Sequence, residues 1–193
     1  MPASHNMCSG IYTIRGGVVD FPSRWALTMY FAGCNLSCDF CHNPHVCESS
    51  VGDIDLREAK QRIDKLRSLH PSAGVVFSGG EPTINSDFLP LYRYCVKNQI
   101  PTSLHTNGVE LVKEANTFDS VIIGVKPFHN YFELKIAVSH YLHTSKRLEL
   151  RGVLTDCEED NKAIKELFSQ IKNWYGKTGF GIIYNLVDDS RRG

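Results

Sequence analysis

Hydrophobic and polar positions along this chain alternate between two periods. Short runs at residues 26–32, 74–78, 101–105, 119–125, 147–154 and 180–186 are rich in β-branched, aromatic or leucine residues and read as strands. Between them lie stretches of helical period. Residues 54–69 space Leu56, Ala59, Ile63 and Leu66 on one face, with Asp55 and Glu58 as a capping pair at the start. A helix capped by Ser86 and reaching Lys97 buries Phe88, Tyr92, Cys95 and Val96, and residues 159–175 carry a stripe of Ile164, Leu167, Phe168, Ile171 and Trp174. These stripes are core-forming, not cofactor-binding.

Six strands alternating with helices predict an α/β fold with a parallel sheet and right-handed crossovers. An eight-unit barrel takes about 250 residues, roughly 31 per unit, so the 193 residues here suit six units and a partial (β/α)6 barrel. Residues 1–15 are expected to be an N-terminal segment, polar over Met1–Met7, and residues 16–193 a single core domain. In such sheets ligands gather at the C-terminal ends of the strands. Cys34, Glu81, Asn107 and Lys126 each follow a predicted strand.

Composition narrows the picture. With 42% hydrophobic and 22% charged residues the chain can bury a sizeable core, and 21 basic against 21 acidic residues leave no electrostatic footprint for nucleic acid or an anionic membrane. No apolar run approaches the roughly 18 residues of a membrane span, and no signal peptide is read at the start. Seven cysteines, an odd number gathered in one motif, predict a reducing, cytoplasmic setting.

That motif is Cys34-x-x-x-Cys38-x-x-Cys41, within Phe31-Ala-Gly-Cys-Asn-Leu-Ser-Cys-Asp-Phe-Cys-His-Asn-Pro44. Three thiolates leave a 4Fe-4S cluster one ligand short, with one iron open to a substrate or cofactor. A structural zinc site is the competing reading, since His42, His45 or Cys47 can supply a fourth ligand. Cys8, Cys47, Cys95 and Cys157 otherwise look scattered. A second motif, Val75-Val-Phe-Ser-Gly-Gly-Glu-Pro82, ends an apolar strand in two glycines that let backbone approach a ligand and a carboxylate that can meet a cation. Pro101-Thr-Ser-Leu-His-Thr-Asn-Gly108 ends in small hydrogen-bonding side chains and is also a good turn. Val121-Ile-Ile-Gly-Val-Lys126 delivers a lysine at a strand end.

The cysteine spacing, with aromatic Phe40 before the third cysteine, resembles the signature of radical S-adenosylmethionine enzymes. The following His42-Asn43-Pro44 resembles the glycyl radical enzyme activases, and Gly17-Val-Val-Asp-Phe-Pro-Ser-Arg24 resembles their entry segment, especially that of the activating proteins of anaerobic ribonucleotide reductases. The resemblance implies a 4Fe-4S cluster on Cys34, Cys38 and Cys41, and S-adenosylmethionine held by Phe40, Gly79, Gly80, Glu81, Pro82, Thr106, Asn107 and Lys126. Reductive cleavage of that cofactor gives a 5'-deoxyadenosyl radical. It further implies a glycyl radical enzyme as partner and a flavodoxin or ferredoxin as electron donor. Asp20, in Gly17-Val-Val-Asp-Phe-Pro-Ser-Arg24, is carried over as a catalytic residue beside the glycine-bearing loop. An alternative is a small-molecule radical enzyme of the 7-carboxy-7-deazaguanine synthase kind.

The chain also departs from that family. His105 and Gly124 stand where many activases have acids that hold a monovalent cation, so the expectation is that no such cation is bound. Phe21-Pro22-Ser23 replaces a common Gly-Pro-Gly, and Tyr184, Asn185 and Leu186 occupy a region where some activases place a ribose-proximal histidine.

Overall fold

The structure, a computed structural model, describes residues 8–21, 24–114, 117–175 and 180–186. Met1–Met7 and Pro22–Ser23 lie outside them, as do the side chains of Tyr184, Asn185 and Leu186. The chain folds as two compact units, Met1–His105 and Thr106–Gly193.

In the first unit β1 (Ile11–Gly17), β2 (Ala26–Phe31), β3 (Gly74–Gly79) and β4 (Thr102–Thr106) lie in that order. β1 runs antiparallel to β2, while β2, β3 and β4 are parallel. The helices are α1 (Pro44–Glu48), α2 (Leu56–Leu69) and α3 (Phe88–Lys97), with a 3-10 turn at Pro82–Ile84. Met29, Phe77 and Leu104 are register partners that share one face of the sheet, and each is fully buried. Phe77 meets Phe88 and Tyr92 of α3 edge-on, at 5.3 and 6.1 Å between ring centroids. Each such pair adds about 0.5–1.5 kcal/mol beyond the area it buries. The opposite face, carrying Thr28, Tyr30, Ser78 and Ser103, is the polar one.

In the second unit β5 (Ser120–Val125), β6 (Leu148–Leu154) and β7 (Phe180–Leu186) are parallel, with α4 (Tyr131–Thr144) and α5 (Glu158–Tyr175). α5 lies close over the sheet because residue 152 is glycine: a Cβ there would stand 2.5 Å from Ile164. Ile164, Leu167, Phe168 and Ile171 of α5 are buried.

The fold is therefore α/β with a parallel sheet, and the six strands expected of a partial (β/α)6 barrel are β2–β7. Differences from the sequence reading are local. No strand was expected before residue 26, yet Ile11–Gly17 forms β1, across the boundary expected between residues 15 and 16. α3 begins at Phe88 with Asp87 as its N-cap, one residue after Ser86. Val96 is only half-buried and Trp174, the last member of the α5 stripe, is 45% exposed. α2 follows the reading closely: Asp55 accepts from the Glu58 amide at 2.8 Å.

Candidate functional site

The cysteine loop leaves β2 through Gly33, whose φ of +87° suits glycine, and where a Cβ would lie 2.2 Å from the Cys8 sulfur. The Gly33 amide donates to the Val46 carbonyl at 2.9 Å, which ties the start of the loop to α1. Pro44 opens that helix, and the amides of Val46 and Cys47 both donate to the Asn43 carbonyl at 3.1 Å. Cys34, Cys38 and Cys41 are half-buried, and the Cys41 amide donates to the Cys38 carbonyl at 3.0 Å. Cys47, set aside as scattered in sequence, has its sulfur 3.5 Å from that of Cys41.

Cys47 also hydrogen-bonds Cys34, and this contact, helped by the Leu36 amide, brings the Cys34 thiol down to about 7 against the upward push of burial, Glu81 and Cys41. Cys47 moves the opposite way, upward, through its hydrogen bonds with Cys34 and Cys41 and through burial. A thiol that gives up its proton readily is what an iron-sulfur cluster requires of a ligand, and soft sulfur donors suit iron. The donor set therefore fits a 4Fe-4S cluster. Among the described residues no group of three His, Cys, Asp or Glu is arranged round a single ion.

The second loop follows β3, and it is fastened to the first. Gly79 has φ of +118°, and a Cβ on it would lie 2.3 Å from the Phe31 nitrogen. A Cβ on Gly80 would lie 1.8 Å from the Gly33 oxygen. The amides of Gly80 and Glu81 donate to the carbonyls of Phe31 and Gly33 at 3.0 and 2.7 Å. What these glycines demonstrably permit is contact between the two loops, where sequence reasoning had assigned them to ligand approach. Glu81 is 1% exposed and accepts from the Thr83 amide and hydroxyl at 3.2 and 2.7 Å, capping the turn that begins at buried Pro82. Phe40 is half-buried.

Asp20 lies after β1 and accepts from the Thr28 hydroxyl at 2.6 Å. Burial first, then the Asp20 charge, raises the Tyr30 phenol above its ordinary range. Nearby, a cavity of about 150 Å³ is walled by Tyr12, Arg15, Tyr30, His42, Asn43 and His45 among others. The Cys-His-Asn-Pro stretch thus faces β1, the strand that sequence reasoning missed.

The second unit carries the remaining candidates. Thr106 and Asn107 are buried, and their side-chain oxygens accept from the amides of Gly108 and Val109, each at 3.0 Å. The turn reading of Thr-Asn-Gly is therefore met by the side chains themselves. Lys126 follows β5, and a Cβ on Gly124 would stand 3.5 Å from its Nζ. The Lys126 amide donates to His129 Nδ1 at 3.2 Å, and burial, then the Lys126 charge, brings His129 down to about 4. On β6 the buried Glu149 carboxylate accepts from Arg151 and, at 3.4 Å, from Arg147.

Within the first unit the structure thus joins the cysteine loop to Gly79, Gly80 and Glu81. It puts Asp20 with Thr28 and Tyr30. Sequence reasoning named Cys47 only as a possible fourth ligand of a zinc site, and it missed Thr83, His129 and the Glu149–Arg151 pair. No helix among the described residues is long and apolar enough to cross a membrane.

A putative glycyl-radical enzyme activating enzyme, MJ1227 of Methanocaldococcus jannaschii, is 30% identical over 127 residues, which span 62% of this chain and 50% of that protein. The pyruvate formate-lyase-activating enzyme of Clostridium pasteurianum is 34% identical over 98 residues, 48% of this chain and 40% of that protein. The chain thus spans half or less of the curated relatives it matches. SuiB of Streptococcus suis, crystallised with its precursor peptide SuiA, superposes with a TM-score of 0.55 at 17% identity over 80% of this chain and 38% of that one, a likeness of fold. The Radical SAM superfamily model matches residues 29–150, which include the cysteine loop, the Glu81 loop and Lys126. A 4Fe-4S cluster and S-adenosylmethionine are the cofactors of that family, and the chain belongs to the radical SAM superfamily.

Proposed function

We propose that this protein is an activating enzyme that installs a glycyl radical on a partner, an anaerobic ribonucleotide reductase. The observation that carries the reading is the run of Cys41 into His42-Asn43-Pro44, in a chain that is 30% identical over 127 residues to a putative glycyl-radical enzyme activating enzyme. In this reading Cys34, Cys38 and Cys41 ligate the cluster, with Phe40 beside them. Glu81, with Gly79, Gly80 and Pro82 beside it in the first unit, is assigned to the methionine ammonium of S-adenosylmethionine, and Thr106, Asn107 and Lys126 are the second unit's own candidate contacts to that cofactor. The bound cofactors together supply one-electron cleavage to methionine and a 5'-deoxyadenosyl radical, the species that abstracts hydrogen. The chain's own share is to orient and to exclude water, and a carboxylate as buried as that of Glu81 suits both tasks. Asp20 is assigned to the glycine-bearing loop of the partner. A flavodoxin or ferredoxin is the electron donor, the setting is cytoplasmic, and the catalytic core is residues 16–193 extended back to Ile11 by β1.

The test is anaerobic mixing with the cognate reductase, S-adenosylmethionine and a low-potential reductant. A glycyl doublet in electron paramagnetic resonance is expected, with label passing from a deuterated partner glycine into 5'-deoxyadenosine. Neither signal, together with faster cofactor cleavage in the presence of a purine-like small molecule, would overturn the activase reading in favour of a small-molecule enzyme.

A further inference from the structure

Cys47 has no part in the proposed reaction, yet its sulfur lies 3.5 Å from that of Cys41. A disulfide needs about 2.0 Å, so side-chain movement of about 1.5 Å closes the gap. Both thiols are half-buried, within reach of a small oxidant. The backbone between them is fixed by the two amides that share the Asn43 carbonyl, so the approach is built into the start of α1. Cys34 also hydrogen-bonds Cys47 and is the competing partner, whose bond would join fragments 20–38 and 39–52, whereas Cys8 packs on Gly33, Cys95 is fully buried, and Cys157 belongs to the second unit.

We propose that Cys41 and Cys47 are a paired oxidation site of the cluster-free chain, with Cys47 as the resolving thiol. The oxidant is a hydroperoxide. The Cys41 thiolate attacks the peroxide oxygen, the O–O bond breaks, and Cys41 becomes a sulfenic acid as hydroxide or alkoxide leaves. Cys47 then attacks the Cys41 sulfur, the S–O bond breaks, water leaves, and the disulfide forms. Sulfur is oxidised by two electrons in total and the peroxide reduced by two. Held as a disulfide, Cys41 stops short of the irreversible sulfinic level and returns to cluster duty once a dithiol reduces it. The pairing is independent of the activase reading.

A protease that cuts before aspartate reads the pairing directly. Cleavage at Asp20, Asp39 and Asp53 leaves Cys41 and Cys47 as the only cysteines of fragment 39–52, and Cys34 and Cys38 as the only ones of fragment 20–38. The cluster-free full chain is treated with hydrogen peroxide, alkylated with iodoacetamide and digested. The expected result is fragment 39–52 unalkylated and lighter by two hydrogens than its reduced form, taking two alkyl groups after reduction. Cys47→Ser should still take up iron and sulfide before oxidation. After peroxide it should carry sulfinic acid at Cys41 and fail to regain iron uptake with dithiothreitol, where the native chain regains it. Fragment 39–52 crosslinked to 20–38, or a native chain that accumulates Cys41 sulfinic acid as fast as Cys47→Ser, would overturn the proposal.

Discussion

The amide of Glu81 donates to the carbonyl oxygen of Gly33 at 2.7 Å, so the loop after β3 is bonded directly to the loop that carries the cysteines. The bond forms only because Gly80, just before Glu81, brings no side chain into the 1.8 Å between its Cβ position and that same oxygen.

Gly80→Ala should therefore force the two loops apart. Overpacking of this kind costs about 1–3 kcal/mol, and the variant should melt lower and bind less iron on reconstitution. Gly17→Ala, at a position where a Cβ meets nothing within 4 Å, is the control and should change the midpoint little.

Anaerobic reconstitution should load about four iron and four sulfide per chain. Alanine at Cys34, Cys38 or Cys41 should abolish that loading, while Cys47→Ser should keep it. Iron, sulfide and zinc analysis of the four variants checks this, and stoichiometric zinc without iron in the native chain would contradict it.

Glu81→Gln keeps an acceptor for the Thr83 amide and hydroxyl but removes the charge. S-adenosylmethionine binding should weaken by about 1.5–3 kcal/mol, roughly 10- to 150-fold, by isothermal titration on the loaded protein. Thermal stability should hold, which separates loss of a ligand contact from loss of the turn.

His129 gives the fold an acid sensitivity. Its buried ring accepts the Lys126 amide at Nδ1, so protonation both charges a desolvated group and breaks that bond. Its folded pKa of about 4 is depressed below the unfolded 6.5, so the unfolded chain binds the proton first as pH falls. Stability is fully present above about 6.5 and is lost progressively down through about 4, by up to about 3 kcal/mol. Urea unfolding of the cluster-free chain at pH 7.5, 6 and 5 should show this loss, and His129→Asn should flatten it.

How legible these features were depended on whether one pattern dominated each segment. β2, β3 and β5 are largely apolar and mostly buried, and α2 and α5 carry single stripes, so these were the most readable. β1 was not, because Ile11-Tyr-Thr-Ile-Arg-Gly-Gly mixes buried and exposed positions and pairs antiparallel at an edge. α4 was missed for the opposite reason: Leu134, Ala137, Val138 and Tyr141 are buried while Phe132 and Ile136 are 70% and 59% exposed, so its apolar residues form no single face. In the site, cysteine spacing marked the candidate ligands Cys34, Cys38 and Cys41. It offered Cys47 only as one of three possible fourth ligands, and the closeness of Cys47 to Cys41 comes from the turn at Pro44. The glycines of Gly79-Gly80 were legible as a need for close approach, and the partner in that approach was visible only in three dimensions.

Cys8 occupies the space that a side chain on Gly33 would fill, directly beneath the first residue of the cysteine loop. A thiol reagent attached there acts as a wedge as well as a label, since any added bulk must lift Gly33 or be expelled outward. Thiol titration of the cluster-free chain consequently reports the seating of the loop along with the number of reactive sulfurs. A small reagent and a large one should disagree by more than accessibility alone would make them.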